Sequence, residues 1–402
     1  MKKEITKKFT FGERGLKGKE GATLTPMFCV QLGRAIGNVA EVSRVAVGHD
    51  SSTIAKALYH AIVAGLCSSG VQIWDLGQVV ASQMSFAAAY VNMSACVYVS
   101  GVDEGTIELW GSDGLPSSLV FEQAIMKYFS LANSNVIALS QYHDIADMRG
   151  FKMVYQQVLT DLAPIGLVGV QAMINCDDRE SERMFRDVFL QLGGTIKNRP
   201  IFHVSRDGRQ VTAIDEKNRN YSSSHLLALG CLLLFEKGED VAVPYEAPYA
   251  IDRLAKHYGR ACYRYNYVSD ETQYEIRALS KKQYMLRDGM MLTLMILNEM
   301  KRRKVDFGEL AEKIPPFVER QAVYASVHCP GKDQDALASI APAQTWGVGW
   351  STDCQSLRIL PQKAKNRWLI LAEATHSEIA DELCQQTKEK IADLLDRNIE
   401  ML

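Results

Sequence analysis

The feature that most restricts the fold of this chain is an alternation of short β-branched strands and amphipathic helices through its first third. Strands are predicted at 44–48 (RVAVG), 71–76 (VQIWDL) and 95–100 (ACVYVS), and helices at 25–36, 51–69 and 83–92. Thr25 is the predicted N-cap of the first helix and Pro26 its first residue. This strand–helix–strand order predicts a mostly parallel sheet covered by helices.

The same alternation recurs later and then changes. A strand at 166–175 precedes a helix at 180–192, a strand at 240–243 precedes a helix at 249–258, and a long helix runs from Asp288-Gly289 to about 301. The last part predicts one antiparallel pair, 350–360 with 367–372, and a helix at 377–399. The predicted fold class is therefore α/β, with three similar mixed α/β domains and a C-terminal α+β domain.

The predicted domain bounds are 1–150, 151–238, 239–320 and 321–402. No low-complexity linker separates these segments. We therefore expect the four domains to pack closely around a shared central cleft.

Charge and cysteine usage exclude several classes of protein. The net charge of −2 gives no basic excess of the kind that nucleic-acid binders carry. The nine cysteines form no CxxC pair and predict reduced thiols, most of them in the core. The N-terminus lacks the apolar segment of a signal peptide, and the apolar run 226–235 is too short to cross a bilayer. We expect a cytoplasmic protein with no nucleic-acid or membrane partner.

Several motifs, taken in order, resemble one enzyme family. They are FGERGLKG (11–18), LTP (24–26), VAVGHD (45–50), TIELWGSDG (106–114), VTAIDEKNRNYSSSHLLAL (211–229), RDGMMLTLMILNEM (287–300) and RWLILAEATHSEIADEL (367–383). Together they resemble the α-D-phosphohexomutases, which include phosphomannomutase, phosphoglucomutase and phosphoglucosamine mutase. The resemblance covers the whole chain and implies the four-domain fold of that family. It also implies a phosphoserine, a Mg²⁺ ion, a phosphate-binding loop and a sugar-binding loop.

The resemblance places Ser100, in YVSGVDEGTIE, on the family's phosphorylated serine. The loop that follows has changed, and Glu108 stands where the family has a lysine. Asp103 and Glu104 would repel a phosphate group, which carries a charge of roughly −1.5 to −2. Ser100 is therefore a candidate nucleophile, and the alternative is a strand-end serine hydrogen-bonded to its own loop.

The family's Mg²⁺ loop has lost its acidic residues in this chain. The three carboxylate positions are occupied by Val204, Arg206 and Gly208, and Arg209 is the residue that still matches. Mg²⁺ prefers oxygen ligands and is usually bound by one or two carboxylates, whereas this loop has only Asp207. We therefore expect no Mg²⁺ and no other cofactor, and we retain Arg209 as a candidate catalytic residue.

The family's phosphate-binding loop keeps its two arginines, here Arg358 and Arg367, and loses its serine, glycine and threonine. Lys363 and Lys365 lie between the arginines. The four cations predict a site for a phosphosugar or another small anion, and the alternative is a solvated hairpin turn. The sugar-binding motif Gly-Glu-x-Ser-Gly-His is missing before Asp288. Asp288 is retained as a candidate substrate contact and as the predicted N-cap of the long helix.

These observations leave three hypotheses open. The first is a family member without mutase activity that binds a small ligand or a protein partner. The second is an active hexose-phosphate mutase with an altered mechanism, supported by Ser100 and Arg209. The third is an interaction subunit that pairs with an active mutase through its first domain. The expected partners also include a second copy of this chain, as a homo-oligomer.

Overall fold

The structure is a computed structural model that describes most of the chain. The described residues are 11–12, 15–18, 24–39, 42–93, 95–101, 105–131, 137–265, 273–325, 334–344, 347–362 and 367–400. The chain divides into two compact units, one formed by Met1–Gly230 with Tyr267–Glu312 and the other by Cys231–Asn266 with Lys313–Leu402. The bounds of the four predicted domains stay a prediction.

The strands of the described residues follow the chain in eighteen short segments. They are β1 (Phe11–Gly12), β2 (Gly15–Lys17), β3 (Arg44–His49), β4 (Gln72–Gln78), β5 (Ala95–Ser100), β6 (Thr106–Trp110), β7 (Ile145–Asp147), β8 (Gln171–Cys176), β9 (Thr195–Val204), β10 (Val211–Ile214), β11 (Asn220–Tyr221), β12 (Val241–Pro244), β13 (Cys262–Tyr265), β14 (Val318–Ala325), β15 (Ala343–Gln344), β16 (Gly347–Ser351), β17 (Gln355–Gln362) and β18 (Arg367–Ala374).

The α-helices of the described residues alternate with these strands. They are α1 (Pro26–Gly37), α2 (Thr53–Cys67), α3 (Ala81–Tyr90), α4 (Leu119–Leu131), α5 (Phe151–Asp161), α6 (Arg179–Gln191), α7 (Ser223–Glu236), α8 (Ala250–Tyr258), α9 (Tyr274–Lys282), α10 (Gly289–Arg303), α11 (Phe307–Ala311), α12 (Gln334–Leu337) and α13 (Ser377–Glu400). The α/β class predicted from the sequence is confirmed.

The seven-stranded sheet of the first unit has the order β1-β2-β6-β5-β3-β4-β7. Strands β5, β3, β4 and β7 pair in parallel, whereas β6 pairs antiparallel with β5. The parallel pairing predicted for the strands at 44–48, 71–76 and 95–100 is confirmed for β3, β4 and β5, whereas the described sheet as a whole is mixed, with three parallel and three antiparallel pairings. Only five residues, 101–105, connect β5 to β6, and so short a connection joins antiparallel rather than parallel neighbours.

The two faces of this sheet carry different cores. Val45, Val47 and Val97 belong to the cluster that includes residues of α1 and α2. On the other face, Cys96 and Tyr98 pack in a cluster with residues of α3. This covering of both faces is what buried parallel strands require.

Side-chain caps fix the start of three helices that the sequence predicted. Thr25 Oγ1 accepts a hydrogen bond from Phe28 N at 3.2 Å, and Pro26 is the first residue of α1. Ser52 caps α2 through Ala55 N at 3.1 Å. Asp288 caps α10, as predicted, and thereby satisfies backbone N–H groups that have no partner within the helix.

The first unit also contains a four-stranded sheet with the order β11-β10-β9-β8. Strands β8 and β9 are parallel, and the β9–β10 hairpin is antiparallel. Helix α10 is buried along most of its length, and Met290, Met291 and Met295 are at most 5% exposed.

The second unit has a parallel pair, β12 with β13, and a five-stranded sheet in the order β14-β18-β17-β16-β15. The predicted antiparallel pair is present as β17 with β18. The prediction of one strand over 350–360 is wrong, because the chain reverses between Ser351 and Gln355 through a hydrogen bond from Thr352 N to Gln355 O of 2.8 Å. Cys354 is exposed in this turn, unlike the buried thiols of Cys29 and Cys96.

The described residues contain no helix with the length and apolar character needed to cross a membrane.

Candidate functional site

The candidate site lies in the first unit, at the carboxyl ends of β3 and β5 and along β6. Tyr98 lies opposite both Gly48 and Glu108 in the sheet. Ser100 lies opposite Thr106. Because alternate residues of a strand face the same side, the side chains of Tyr98, Ser100 and Glu108 share one face of the sheet.

Ser100 ends β5 and donates a hydrogen bond to a buried carboxylate. The distance from its Oγ to Asp50 Oδ2 is 2.7 Å. The same carboxylate accepts from Gly101 N at 2.9 Å and, through Oδ1, from Ser52 N at 2.9 Å. Burial acts to raise the pKa of Asp50, but the hydrogen bonds from Ser52, Ser100 and Gly101 outweigh it and hold the pKa below its ordinary value. Asp50 is therefore a stable anion beside the serine.

A buried ion pair lies further along the same face. Arg209 Nη2 pairs with Glu108 Oε2, and Glu108 is 7% exposed. The guanidinium of Arg209 also lies 5.5 Å from the centroid of the Trp110 ring, and its Nη1 lies 3.6 Å from Asp207 Oδ2. The Trp110 ring stacks on Tyr98 with 5.7 Å between centroids. Arg209, which was predicted as a catalytic residue, therefore has two carboxylates and an aromatic ring as neighbours.

The segment between β9 and β10 is a tight hairpin loop rather than an open carboxylate cradle. Asp207 Oδ1 accepts from Ser205 Oγ at 2.6 Å and from Arg209 N at 3.1 Å. The loop closes through hydrogen bonds from Ser205 N to Gln210 O and from Gly208 N to Ser205 O, each of 2.9 Å. The carboxylate of Asp207 therefore stabilises its own turn.

The residues at the expected Mg²⁺ positions do not fit a metal. Val204 is 1% exposed and lies in the core. Gly208 has a φ of +74°, and a Cβ added there would overlap Ser82 Oγ and lie 2.9 Å from Val80 Cγ2. Arg206 is exposed and cationic. Among the described residues, no group of three or more His, Cys, Asp or Glu side chains is placed to hold a metal ion.

Asp288 lies away from solvent and has a structural role. Its Oδ1 accepts from Met290 N at 2.9 Å and Met291 N at 3.0 Å, and its Oδ2 accepts from the Tyr155 hydroxyl at 2.7 Å. Burial raises the pKa of Asp288, and these hydrogen bonds only partly oppose the rise. At 3% exposure, the side chain offers little surface to a substrate, so its position does not fit the predicted substrate contact.

The candidate phosphate-binding residues belong to the second unit. Arg358 is fully buried on β17, donates to the carbonyl oxygens of Tyr245 (2.9 Å) and Ala247, and pairs with Glu319 at 3.0 Å. This position fits neither the predicted phosphate contact nor a solvated turn, because the guanidinium has no exposed surface. Arg367 begins β18 and donates to the Gln362 side chain. Lys363 and Lys365 lie outside the described residues.

Two features of the site were not predicted from the sequence. One is Asp50 as the acceptor of the Ser100 hydroxyl, and the other is the pairing of Glu108 with Arg209. The contact between Asp50 and Ser100 could have been predicted from the sequence, because Asp50 follows β3 directly and neighbouring parallel strands end at the same edge of a sheet. The second joins residues 101 positions apart, one on β6 and the other in the loop between β9 and β10, and no local pattern marks it.

Comparisons with known proteins add the following. Residues 8–136 match the family model for phosphoglucomutase/phosphomannomutase, alpha/beta/alpha domain I. The phosphoglucosamine mutase of Lactiplantibacillus plantarum is 22% identical over 91% of this chain and 81% of its own length. That of Lactobacillus helveticus is 26% identical, over 46% of this chain and 44% of its own length. A crystal structure of a phosphoglucomutase/phosphomannomutase family protein from Burkholderia thailandensis superposes with a TM-score of 0.73 at 13% identity, covering 98% of each chain. The last of these is a likeness of fold.

Proposed function

This chain belongs to the α-D-phosphohexomutase superfamily, and on that premise we propose that it lacks Mg²⁺-dependent mutase activity and acts as a binding or regulatory homologue. The observation that carries the proposal is the closed β9–β10 loop. Of the three positions where the family has metal-binding carboxylates, Val204 is buried in the core and Gly208 has no room for a Cβ. Without a bound cation, the charge of a migrating phosphoryl group has no strong neutraliser.

The surroundings of Ser100 support the same proposal. A phosphate on its Oγ would bring a charge of roughly −1.5 to −2 next to the Asp50 carboxylate, which lies 2.7 Å from that oxygen. Arg209, a cation of this cluster, is paired with Glu108. Like charges at such short range disfavour the doubly charged state, so the phosphoserine that the family's reaction needs would be destabilised.

A turnover assay tests the proposal directly. The purified chain is incubated with Mg²⁺, a hexose bisphosphate activator, and the phosphates of glucose, mannose and glucosamine. We expect the wild-type rate to equal that of Ser100→Ala. Ser339→Ala, which changes an exposed serine of the second unit, serves as the matched control. Turnover that Ser100→Ala abolishes and Ser339→Ala preserves would contradict the proposal.

The intact mass of the native protein gives a second, independent readout. The proposal expects a mass without phosphate, both as purified and after incubation with the bisphosphate. A phosphorylated species that disappears in Ser100→Ala would show that the serine carries the family's modification despite Asp50.

One observation favours the alternative, an active hexose-phosphate mutase of altered mechanism. The Ser100 hydroxyl lies within proton-transfer distance of Asp50, as a nucleophile and its general base would. Against it, the lowered pKa of Asp50 makes that carboxylate a weak base near neutral pH. If the alternative holds, turnover should persist in the presence of a metal chelator and be lost in both Ser100→Ala and Asp50→Asn.

The proposed binding role covers two classes of partner, a phosphosugar or other small anion and a protein, including a second copy of this chain. Calorimetric titration with hexose phosphates, together with size-exclusion chromatography coupled to light scattering, separates the two. Heat of binding with a monomeric elution favours the anion, and a mixed or self-assembled species favours the protein.

A further inference from the structure

A cavity of about 190 Å³ lies in the first unit, apart from the Ser100 cluster. Its walls come from the turn after β4, from α3 and α5, and from the first turns of α6. The residues that shape it are mainly polar, and they include Gln78, Gln83, Lys152, Gln156 and Asp178. A concave space with a few convergent polar groups is the usual form of a small-molecule site.

Gln83 is a buried polar side chain of this cavity, and its amide N–H group has a weak acceptor. It is 7% exposed, and its Oε1 accepts from Val80 N at 3.2 Å. In the described part of the chain, its Nε2 donates only to the thioether of Met184, at 4.0 Å. A thioether sulfur is a weak acceptor, and a buried N–H without a good acceptor is unfavourable. An oxygen atom of a ligand in the cavity would satisfy this group.

The charges of the cavity wall select the kind of ligand. Glu180 is fixed by Gln78 Nε2 at 3.0 Å and by an ion pair with Lys152. Asp178 uses Oδ2 to accept from Ser181 N at 2.9 Å, so its second oxygen is the available acceptor. With two carboxylates against one ammonium group, the wall is net negative. An anionic ligand such as a phosphate ester is repelled, and a neutral or amine-bearing ligand is favoured.

We propose that this cavity binds a non-phosphorylated polyol of monosaccharide size. A hydroxyl group both donates and accepts, which suits a wall where the amides of Gln83 and Gln156 alternate with the Asp178 carboxylate. Val79 and Met184 add apolar surface for the C–H groups of such a ligand. The cavity volume of about 190 Å³ accommodates one small ring.

Binding of named probes to the full chain tests this proposal. Glucose, glucosamine and myo-inositol are titrated by calorimetry, with glucose 6-phosphate as the anionic counterpart. We expect saturable binding of at least one uncharged or amine-bearing probe with a Kd below about 1 mM, and weaker or no binding of the phosphate ester at the same cavity.

Two neighbouring glutamines of α5 provide matched variants. Gln156 lines the cavity, whereas Gln157 is exposed and donates to Asp161 at 2.9 Å. Gln156→Ala should weaken polyol binding about two- to tenfold, the effect of one net hydrogen bond, and Gln157→Ala should leave the Kd unchanged. Gln83→Met, checked for an unchanged Tm, should weaken binding further.

Three results of these binding experiments would contradict the proposed polyol site. Absence of binding by all three polyols, equal Kd values for Gln156→Ala and wild type, or binding of glucose 6-phosphate that is tighter than that of the polyols and is weakened by Gln156→Ala would each overturn the proposal. The mutase assay uses Ser100 as its reporter, which does not line this cavity. Failure here therefore leaves the proposed function untouched, and failure there leaves this site untouched.

Discussion

Gly208→Ala is expected to destabilise the first unit by an amount that the structure allows us to apportion. Gly208 has a φ of +74°, in the left-handed region, where an L side chain costs about 1–2 kcal/mol. The new Cβ would also overlap Ser82 Oγ and approach Val80 Cγ2 to 2.9 Å, and overpacking of this kind costs about 1–3 kcal/mol. The free energy of unfolding should therefore fall by about 2–5 kcal/mol.

A double-mutant cycle separates the two contributions. Ser82→Ala removes the oxygen that the new methyl group overlaps and does not change the backbone angle of residue 208. In the Ser82→Ala background, Gly208→Ala should therefore cost less, by a coupling energy of about 1–3 kcal/mol. The assay is urea unfolding of all four proteins, with the m-value checked for constancy.

Gly150→Ala is the matched control. Gly150 has a φ of −62°, and a Cβ added there would meet no atom within 4 Å. Its substitution should change the unfolding free energy by no more than about 0.5 kcal/mol. If Gly208→Ala unfolds with the same urea midpoint as Gly150→Ala, the loop has room for a side chain. A carboxylate could then occupy the family's third metal position, and the reasoning behind the proposed function would fail.

Three further predictions concern buried ionisable groups. Arg209→Met leaves Glu108 buried without its partner and should cost about 3–5 kcal/mol, whereas the double mutant with Glu108→Gln should recover most of this loss in urea unfolding. Burial raises the pKa of Glu122 from its ordinary 4.5 to about 7. The contribution of this side chain to the free energy of unfolding is therefore fully present below pH 4.5 and is lost as pH rises through 7. Glu122→Gln should flatten the dependence of stability on pH and raise the free energy of unfolding at pH 8 by on the order of 3 kcal/mol. An unchanged slope of stability against pH would contradict the raised pKa of Glu122. Tyr155→Phe removes the hydroxyl that donates to Asp288 at 2.7 Å and should lower the Tm, at a cost of about 1–3 kcal/mol. A Tm equal to that of the wild type would show that Oδ2 of Asp288 has a donor other than Tyr155.

The elements of the fold were predictable wherever local chemistry decides them. Thr25 and Pro26 start α1 because a hydroxyl cap and a proline favour the same backbone, and the structure agrees. The strand at 350–360 was mispredicted because β-branched and aromatic residues continue on both sides of the turn at Thr352. No glycine or proline marks that reversal, so the pattern did not distinguish one strand from a hairpin.

The site was less predictable, because its contacts join distant parts of the chain. The sequence predicts Arg358 as a surface cation, but the residue is fully buried and donates to carbonyl groups about 110 residues earlier in the sequence. Asp288 was predicted correctly as an N-cap, but its burial against Tyr155 depends on a helix more than a hundred residues away. Sequence spacing reports what a residue can do locally and gives no measure of such tertiary contacts.

The changes at β6 and at the β9–β10 loop are physically coupled. The family resemblance implies carboxylates at the loop positions held here by Val204, Arg206 and Gly208, and a lysine at the position of Glu108. With the carboxylates gone, Arg209 needs an anionic partner, which Glu108 supplies in a buried pair. An isolated buried charge is costly, whereas a paired one is tolerated. Neutralising Arg209 alone would therefore leave Glu108 as an unpaired buried carboxylate, and residue 108 would have to change with it to recover the lost stability.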